Sequence, residues 1–426
     1  MHPVASPVSA SGRADHAPAF GHGVDLAELR AGRALGLAQA LLRCPSVTPA
    51  EGGALDLLDG TLGALGFTCE RMPFSAEGTP DVDNLWAVTP GNGPILCFAG
   101  HTDVVPTGAV ARWRFDPFSG EIADGALWGR GAVDMKGAIA CFVAAAAEAL
   151  AQGGLSCRLA FLITGDEEGP AINGTKPMLA RLAERGTALA ACLVGEPTNP
   201  DEAIGAMLKV GRRGSLNGRL TVTGRQGHVA YPDRADNPVH GLLDLLQALR
   251  ADALDQGSAR FQPSSLQVTS VDVGNATTNL IPGEATAAFN VRFNDCWSGA
   301  SLEAELRRRM EGTGRAHALD VRVSGESFVT EDGPLTRLAV EAIRETTGLD
   351  PDLSTTGGTS DARFIRAYCP VIEFGLTSPL AHQVDERVPL DHLDRLSAVY
   401  GAMIRRFGAT TPGTTSGGDA TPPGAG

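Results

Sequence analysis

The stretch Leu159-Ala160-Phe161-Leu162-Ile163-Thr164-Gly165-Asp166-Glu167-Glu168-Gly169 carries the pattern on which the fold turns. Five consecutive apolar residues are too short for a core helix and suit a strand covered on both faces. The glycines and acids that follow end the strand and leave charge at its carboxyl end. The same arrangement recurs on either side. Ile95 to Gly100 runs into His101-Thr102-Asp103, and Ala190 to Gly195 runs into Glu196-Pro197-Thr198. Helical stretches at Lys136 to Ala151 and Thr175 to Glu184 separate them. Buried strands alternating with helices predict an α/β fold with a mainly parallel central sheet flanked by helices. Such sheets bind ligands beyond the carboxyl ends of their strands.

Farther out, Leu26 to Leu42 and Leu55 to Leu65 have the apolar spacing of amphipathic helices, and Asn84 to Val88 reads as another strand. The pattern changes near Gly214. Strand-like Ser215 to Gly224, helical Pro238 to Ala251, strand-like Ser265 to Val273 and Ala285 to Phe293, helical Ser301 to Met310 and strand-like Leu319 to Val323 follow in turn. That β-α-β-β-α-β order suits a small α+β domain with an antiparallel sheet. From Pro334 the α/β alternation resumes, with a helix to Thr346, a strand at Pro370 to Phe374 and a helix at Leu393 to Phe407. The expected organisation is a discontinuous catalytic domain, 24–213 and 329–407, interrupted by an inserted domain, 214–328. The aperiodic tails 1–23 and 408–426 are expected to be disordered.

The 426 residues carry 35 Lys and Arg against 49 Asp and Glu, a net charge of -14, which argues against a nucleic-acid partner. No apolar run reaches the roughly 18 residues of a membrane span, and the amino-terminal residues lack the pattern of a secretory signal. The eight cysteines are scattered with no C-x-x-C pair and read as reduced. A cytoplasmic location is expected.

Five short motifs carry chemistry. His101 with Asp103 follows one strand; Gly129-Arg130-Gly131-Ala132-Val133-Asp134-Met135-Lys136-Gly137 opens a helix; Glu167 and Glu168 follow the second strand; Glu196 follows the third; and Ala381-His382-Gln383-Val384-Asp385-Glu386 lies in a late loop. Each has a bland alternative. Asp103 could be a turn former, Asp134 an N-cap, the paired glutamates a solvated turn. Together they bring two imidazoles and several carboxylates to one sheet edge. That is the inventory for two divalent cations sharing one bridging carboxylate, with a further acid as general base.

On these motifs the chain resembles the dinuclear-zinc amidohydrolase and metallopeptidase superfamily of aminoacylases, acetylornithine deacetylases and glutamate carboxypeptidases. Within it the chain is most similar to the succinyl-diaminopimelate desuccinylase family, over roughly Ala27 to Phe407. The resemblance implies His101, Asp134 and Glu196 around one zinc and Asp134, Glu168 and His382 around the other, with cobalt able to substitute. It further implies Asp103 holding the His101 ring, Glu167 as general base, and a cis peptide at Asp134–Met135. His228, in Gly227-His228-Val229-Ala230-Tyr231-Pro232, would stabilise the oxyanion in the site of the partner subunit of a homodimer paired through the inserted domain.

The basic run Lys209-Val210-Gly211-Arg212-Arg213-Gly214-Ser215 is unaided no more than a solvated turn or a substrate contact at the domain junction. The resemblance favours the second, with Lys209, Arg212, Ser215, Tyr231, Asn279, Arg292, Gly358 and Thr359 as substrate contacts. Ser378 stands where many desuccinylases carry Asn. The implied reaction is hydrolysis of N-succinyl-LL-2,6-diaminopimelate, a small N-acyl amino acid. Acetylornithine deacetylation and a catalytically degenerate dimeric binding protein are the rival readings.

Overall fold

The computed structural model describes residues 23–200 and 203–409. The tails expected to be disordered lie outside the described residues except for Gly23, Gly408 and Ala409, and the last two belong to the final helix, Leu390–Ala409. The central sheet has eight strands in the order Thr68–Arg71, Leu85–Val88, Arg158–Thr164, Ile95–His101, Ala191–Val194, Val371–Glu373, Met207–Lys209 and Asp352–Ser354. Four of the seven pairings are parallel, including both neighbours of Ile95–His101. The other three are antiparallel.

Alternate residues of the central strands enter opposite cores. Leu96, Phe98, Leu159, Phe161 and Ile163 join one, while Cys97, Ala99, Ala160 and Leu162 join the other. Both faces are covered, which is why these strands read as unbroken apolar runs. The Ala-rich helix Lys136–Gln152 is buried along most of its length and packs against Leu390–Ala409. Phe98 stacks on Phe142 at 4.5 Å between ring centroids, and Tyr400 donates to the Phe374 carbonyl at 2.6 Å. This aromatic core anchors the strand that ends at His101.

The amphipathic pattern from Leu26 to Leu42 forms two helices, Leu26–Arg30 and Leu35–Leu42. Gly32 between them has φ of 76°, a left-handed turn that ends the first helix before the apolar stripe is complete.

The segment from Gly214 onward forms its own antiparallel sheet in the order Ser265–Asp272, Glu284–Phe293, Gly214–Thr223 and Ala318–Gly325. Helices Pro238–Arg250 and Gly299–Glu311 cover it through a third core containing Leu242, Leu245, Leu246, Leu249, Leu302 and Leu306. The first begins with Pro238 after Asn237, whose side chain accepts from the Val239 N–H at 3.0 Å. Leu243, on the same helix, is instead exposed, as is Val271 on the edge strand. The two crossings between the bodies lie side by side: Gly211–Arg212 pairs antiparallel with Phe328–Val329. Among the described residues, no helix is long and apolar enough to cross a membrane.

Candidate metal centre

His101 closes its strand in a fully buried position. Its Nδ1 lies 2.8 Å from the Asp103 main-chain carbonyl, which can only accept, so Nδ1 carries the proton and Nε2 faces the cluster. Nε2 lies 3.2 Å from Asp134 Oδ1 and 3.8 Å from Glu196 Oε1. The Asp103 carboxylate, the expected holder of the ring, stands 3.7 Å away. Its oxygens accept instead from the main-chain N–H groups of Glu167 and Glu168, at 3.2 and 3.0 Å. Asp103 therefore grips His101 with its backbone and the paired glutamates with its side chain.

Asp134 sits between the two histidines, Oδ1 toward His101 and Oδ2 3.2 Å from His382 Nε2. Its peptide bond to Met135 is cis. The Met135 side chain fits because Gly100 and Gly195 lack a Cβ; one built there would come within 2.5 and 2.7 Å of Met135 Cε. His382, with φ of 62°, also lies 2.7 Å from Glu168 Oε1.

Glu386 belongs to this framework, a role that sequence reasoning missed. It is fully buried; Oε1 accepts from the Val133 and Asp134 N–H groups at 2.9 and 3.2 Å, and Oε2 pairs with Arg130 at 2.6 Å. Arg130 in turn donates to the His382 and Gln383 carbonyls at 3.3 and 3.2 Å. One buried ion pair thus joins the loop bearing Asp134 to the loop bearing His382. Both residues belong to the motifs around those ligands; a paired Arg and Glu flanking the two ligand positions was the available signal.

The electrostatics are those of crowded carboxylates. Burial, reinforced by Asp134, pushes Glu196 up to about 8, and burial with the Glu196 charge pushes Glu167 well above the usual range. For Asp134 burial is outweighed by the two imidazoles, which hold its carboxyl below the ordinary value. Hydrogen bonds to Asp134 and Glu168 raise His382 to about 10.

Candidate ligand atoms of His101, Asp134 and Glu196 lie within 4.8 Å of one another, as do those of Asp134, Glu168 and His382 and those of His101, Glu167 and Glu168. Nitrogen and carboxylate donors in groups that share Asp134 would suit a divalent metal, which His101, Asp134 and Glu196 or Asp134, Glu168 and His382 would hold. The donor set fits.

Of the expected substrate contacts, one group lies at the junction. Lys209 donates to Ser354 and Thr356 at 3.3 and 2.5 Å, Ser215 is buried and accepts from Asn290 at 3.1 Å, and Thr359 lines a cleft with Glu167 and Glu168. Gly358 is exposed beside it. Arg212 does not present a free guanidinium: Nε lies 3.0 and 2.9 Å from the Glu373 oxygens and Nη2 also contacts that carboxylate. Arg292 is half-buried on strand Glu284–Phe293. Ser378 turns to the Asn199 carbonyl at 3.2 Å. His228, Tyr231 and Asn279 form a separate exposed group on the inserted body, with the His228 ring accepting from the Ala230 N–H at 3.1 Å.

Residues 97–406 match the model of peptidase family M20/M25/M40. A succinyl-diaminopimelate desuccinylase from Parvibaculum lavamentivorans is 54% identical over 377 residues, spanning 88% of this chain and 95% of the relative. One from Methylorubrum extorquens is 56% identical over 379 residues, 88% of this chain and 98% of that one. Among solved structures, an M20 family metallo-carboxypeptidase from Sulfolobus solfataricus superposes with a TM-score of 0.74 at 15% identity, covering 88% of this chain and 99% of its own. A dinuclear metal-binding M20 peptidase from Bacillus subtilis gives 0.63 at 16% identity, covering 89% and 98%. With its own sheet, cluster and matched span agreeing, the chain belongs to peptidase family M20/M25/M40 and is a metal-dependent amide hydrolase.

Proposed function

We propose that this chain is a dinuclear zinc amidohydrolase, with cobalt able to substitute, that cleaves N-succinyl-LL-2,6-diaminopimelate to succinate and LL-2,6-diaminopimelate for lysine and diaminopimelate biosynthesis in the cytoplasm. The observation that carries it is the convergence of His101, Asp134, Glu168, Glu196 and His382 around one shared carboxylate, with Glu167 beside them. The names of relatives more than half identical supply the substrate.

Bound metal lowers the proton affinity of a water and polarises the acyl carbonyl. Glu167 accepts the water's proton; its raised proton affinity suits a group that must then give the proton to the leaving amine. Asp103 fixes the turn that presents Glu167. Asp134, held by Glu386, keeps the two histidines on opposite sides of the reacting centre. His228 of the partner subunit donates to the oxyanion.

The direct test compares turnover of N-succinyl-LL-2,6-diaminopimelate and N-acetylornithine with zinc or cobalt supplied and after chelation. The succinyl substrate is expected to dominate and chelation to abolish activity. Preference for the acetyl substrate sinks the assignment, and activity indifferent to chelation sinks the metal centre.

The homodimer pairs inserted bodies through the exposed Leu243 and Val271. Mixing inactive Glu167→Gln and inactive His228→Ala chains under subunit exchange is expected to restore one competent site per mixed dimer. A mixture that stays inactive places His228 at its own chain's site or at none.

A further inference from the structure

Lys136 opens the helix that follows Asp134 and is fully buried. A buried ammonium ordinarily pairs with a carboxylate, because stripping its water is costly. Among the described residues Lys136 forms no ion pair; its Nζ donates instead to the Cys44 main-chain carbonyl at 2.7 Å. Glu386, Asp103 and Glu51 are the carboxylates within electrostatic reach. Cys44 lies just beyond the helix Leu35–Leu42, where aligned carbonyls favour a cation. The lysine stem reaches it by crossing Gly131. A Cβ built on that glycine would come within 3.1 Å of Lys136 Cδ and 2.9 Å of Val104 Cγ1, and its φ is 89°. The turn before Asp134, the lysine stem and Val104 therefore meet at one point.

Cys44 begins a short segment laid against the turn after His101. Ser46 Oγ donates to the Thr102 carbonyl at 2.6 Å. The Val104 N–H donates to the Ser46 carbonyl at 2.9 Å, and the Thr48 N–H to the Val104 carbonyl at 3.0 Å. These bonds hold the chain on both sides of Asp103, whose carbonyl orients His101 and whose carboxylate holds the Glu167 and Glu168 N–H groups. Ser46 is as deeply buried as Lys136. From Asp134 through Lys136, Cys44, Ser46 and Thr102 to His101, the contacts close a ring. Its last side is the 3.2 Å approach of His101 Nε2 to Asp134 Oδ1. Arg130 and Glu386 lie outside this ring and tie Asp134 to the His382 loop instead.

We propose that Lys136 and Ser46 are positioning residues of the metal centre, the two tie points of a buried ring that fixes the spacing of His101 and Asp134. The proposal rests on the reading of the cluster as a metal centre. Lysine suits the task because it carries a compact donor at the end of a long, slender stem. With the ring intact, imidazole and carboxylate are held in place before any ion arrives, and an entering cation does not have to order them.

The test uses the full chain and the variants Lys136→Met, which keeps the stem and removes the donor, and Ser46→Ala, which opens the ring at its other end. Zinc affinity, measured by competition with a chelator, is expected to fall roughly tenfold to a hundredfold in each. In the double variant it is expected to fall no further than in the weaker-binding single, because a ring opened once is already open. The metal-free Lys136→Met chain is expected to melt at or above the wild-type temperature. A charge no longer has to be buried, and the Cys44 carbonyl still accepts from the Ser46 N–H at 2.9 Å. A lysine that only cross-links the core gives the reverse: a metal-free chain that melts several degrees lower, with zinc affinity within roughly twofold of wild type. A lysine that acts only as a countercharge gives tighter zinc binding once it is removed. Either result overturns the ring, as do losses that add in full in the double variant. Should Lys136→Met fail to fold, Ser46→Ala decides alone, and zinc affinity within roughly twofold of wild type overturns the ring. Wild-type protein that binds neither zinc nor cobalt removes the metal centre itself, and the ring's role with it.

Discussion

Glu167→Gln is expected to retain both metals and lose about 10²- to 10⁴-fold in kcat, the usual contribution of a positioned general base. The amide keeps the shape of the carboxylate and cannot take the water's proton. The main-chain N–H of residue 167 still donates to Asp103, so the turn is preserved. Glu168→Gln has a different consequence. Glu168 lies 2.7 Å from His382 and shares a three-residue donor group with it and Asp134, so its loss is read first in metal affinity. Metal content and single-turnover rates of the two variants separate the roles. A Glu167→Gln protein that loses metal and regains full activity once metal is restored reverses the assignment.

Glu386→Gln and Arg130→Met are each expected to weaken metal binding by about 10- to 100-fold, although neither side chain offers a metal ligand in the cluster. Removing one member of a buried pair also strands the other, at a cost of about 3–5 kcal/mol in folding stability. Arg130 is almost wholly buried and Glu386 fully so, and the carboxylate also holds the N–H groups of Val133 and Asp134. Calorimetric metal titration, alongside thermal melts, is the check. Glu386→Gln protein that binds metal as tightly as wild type removes the ion pair from any account of the centre. The double variant is expected to be less destabilised than the sum of the two, because no charge is then left unpaired.

These cases show where sequence ceased to be informative. The strands ending at His101, Thr164 and Val194 were legible because both of their faces are buried, which leaves a continuous apolar run with polar residues at its end. That placement drew His101, Glu167, Glu168 and Glu196 to one sheet edge, and the resemblance implied which of the acids and imidazoles would be ligands. Pairings across long separations were not legible. Arg130 and Glu386 are 256 positions apart, and although each lies in a motif beside the cluster, their sequence positions do not say that the two side chains meet. Arg212 and Arg213 are chemically equal in sequence; only the position of Glu373, on strand Val371–Glu373, decides which is spent. Sequence tied Asp103 to the His101 ring, but the division of labour between its carbonyl and its carboxylate depends on how the Asp166-to-Gly169 turn folds back over it. The short strands Thr68–Arg71, Met207–Lys209 and Asp352–Ser354 are too brief for a periodicity to register.

The paired crossings at Gly211–Arg212 and Phe328–Val329 bear on how such a chain is assembled. Seen from the main body, everything between them is the loop of a hairpin whose stem is already hydrogen-bonded. Loop-closure entropy grows only with the logarithm of loop length, so the host sheet gives up little to carry so large an excursion. Insertions at neighbouring chain ends are tolerated for the same reason. The inserted unit is thus free to change its outer surface, while the residues around Asp134 stay under the constraint of their own packing.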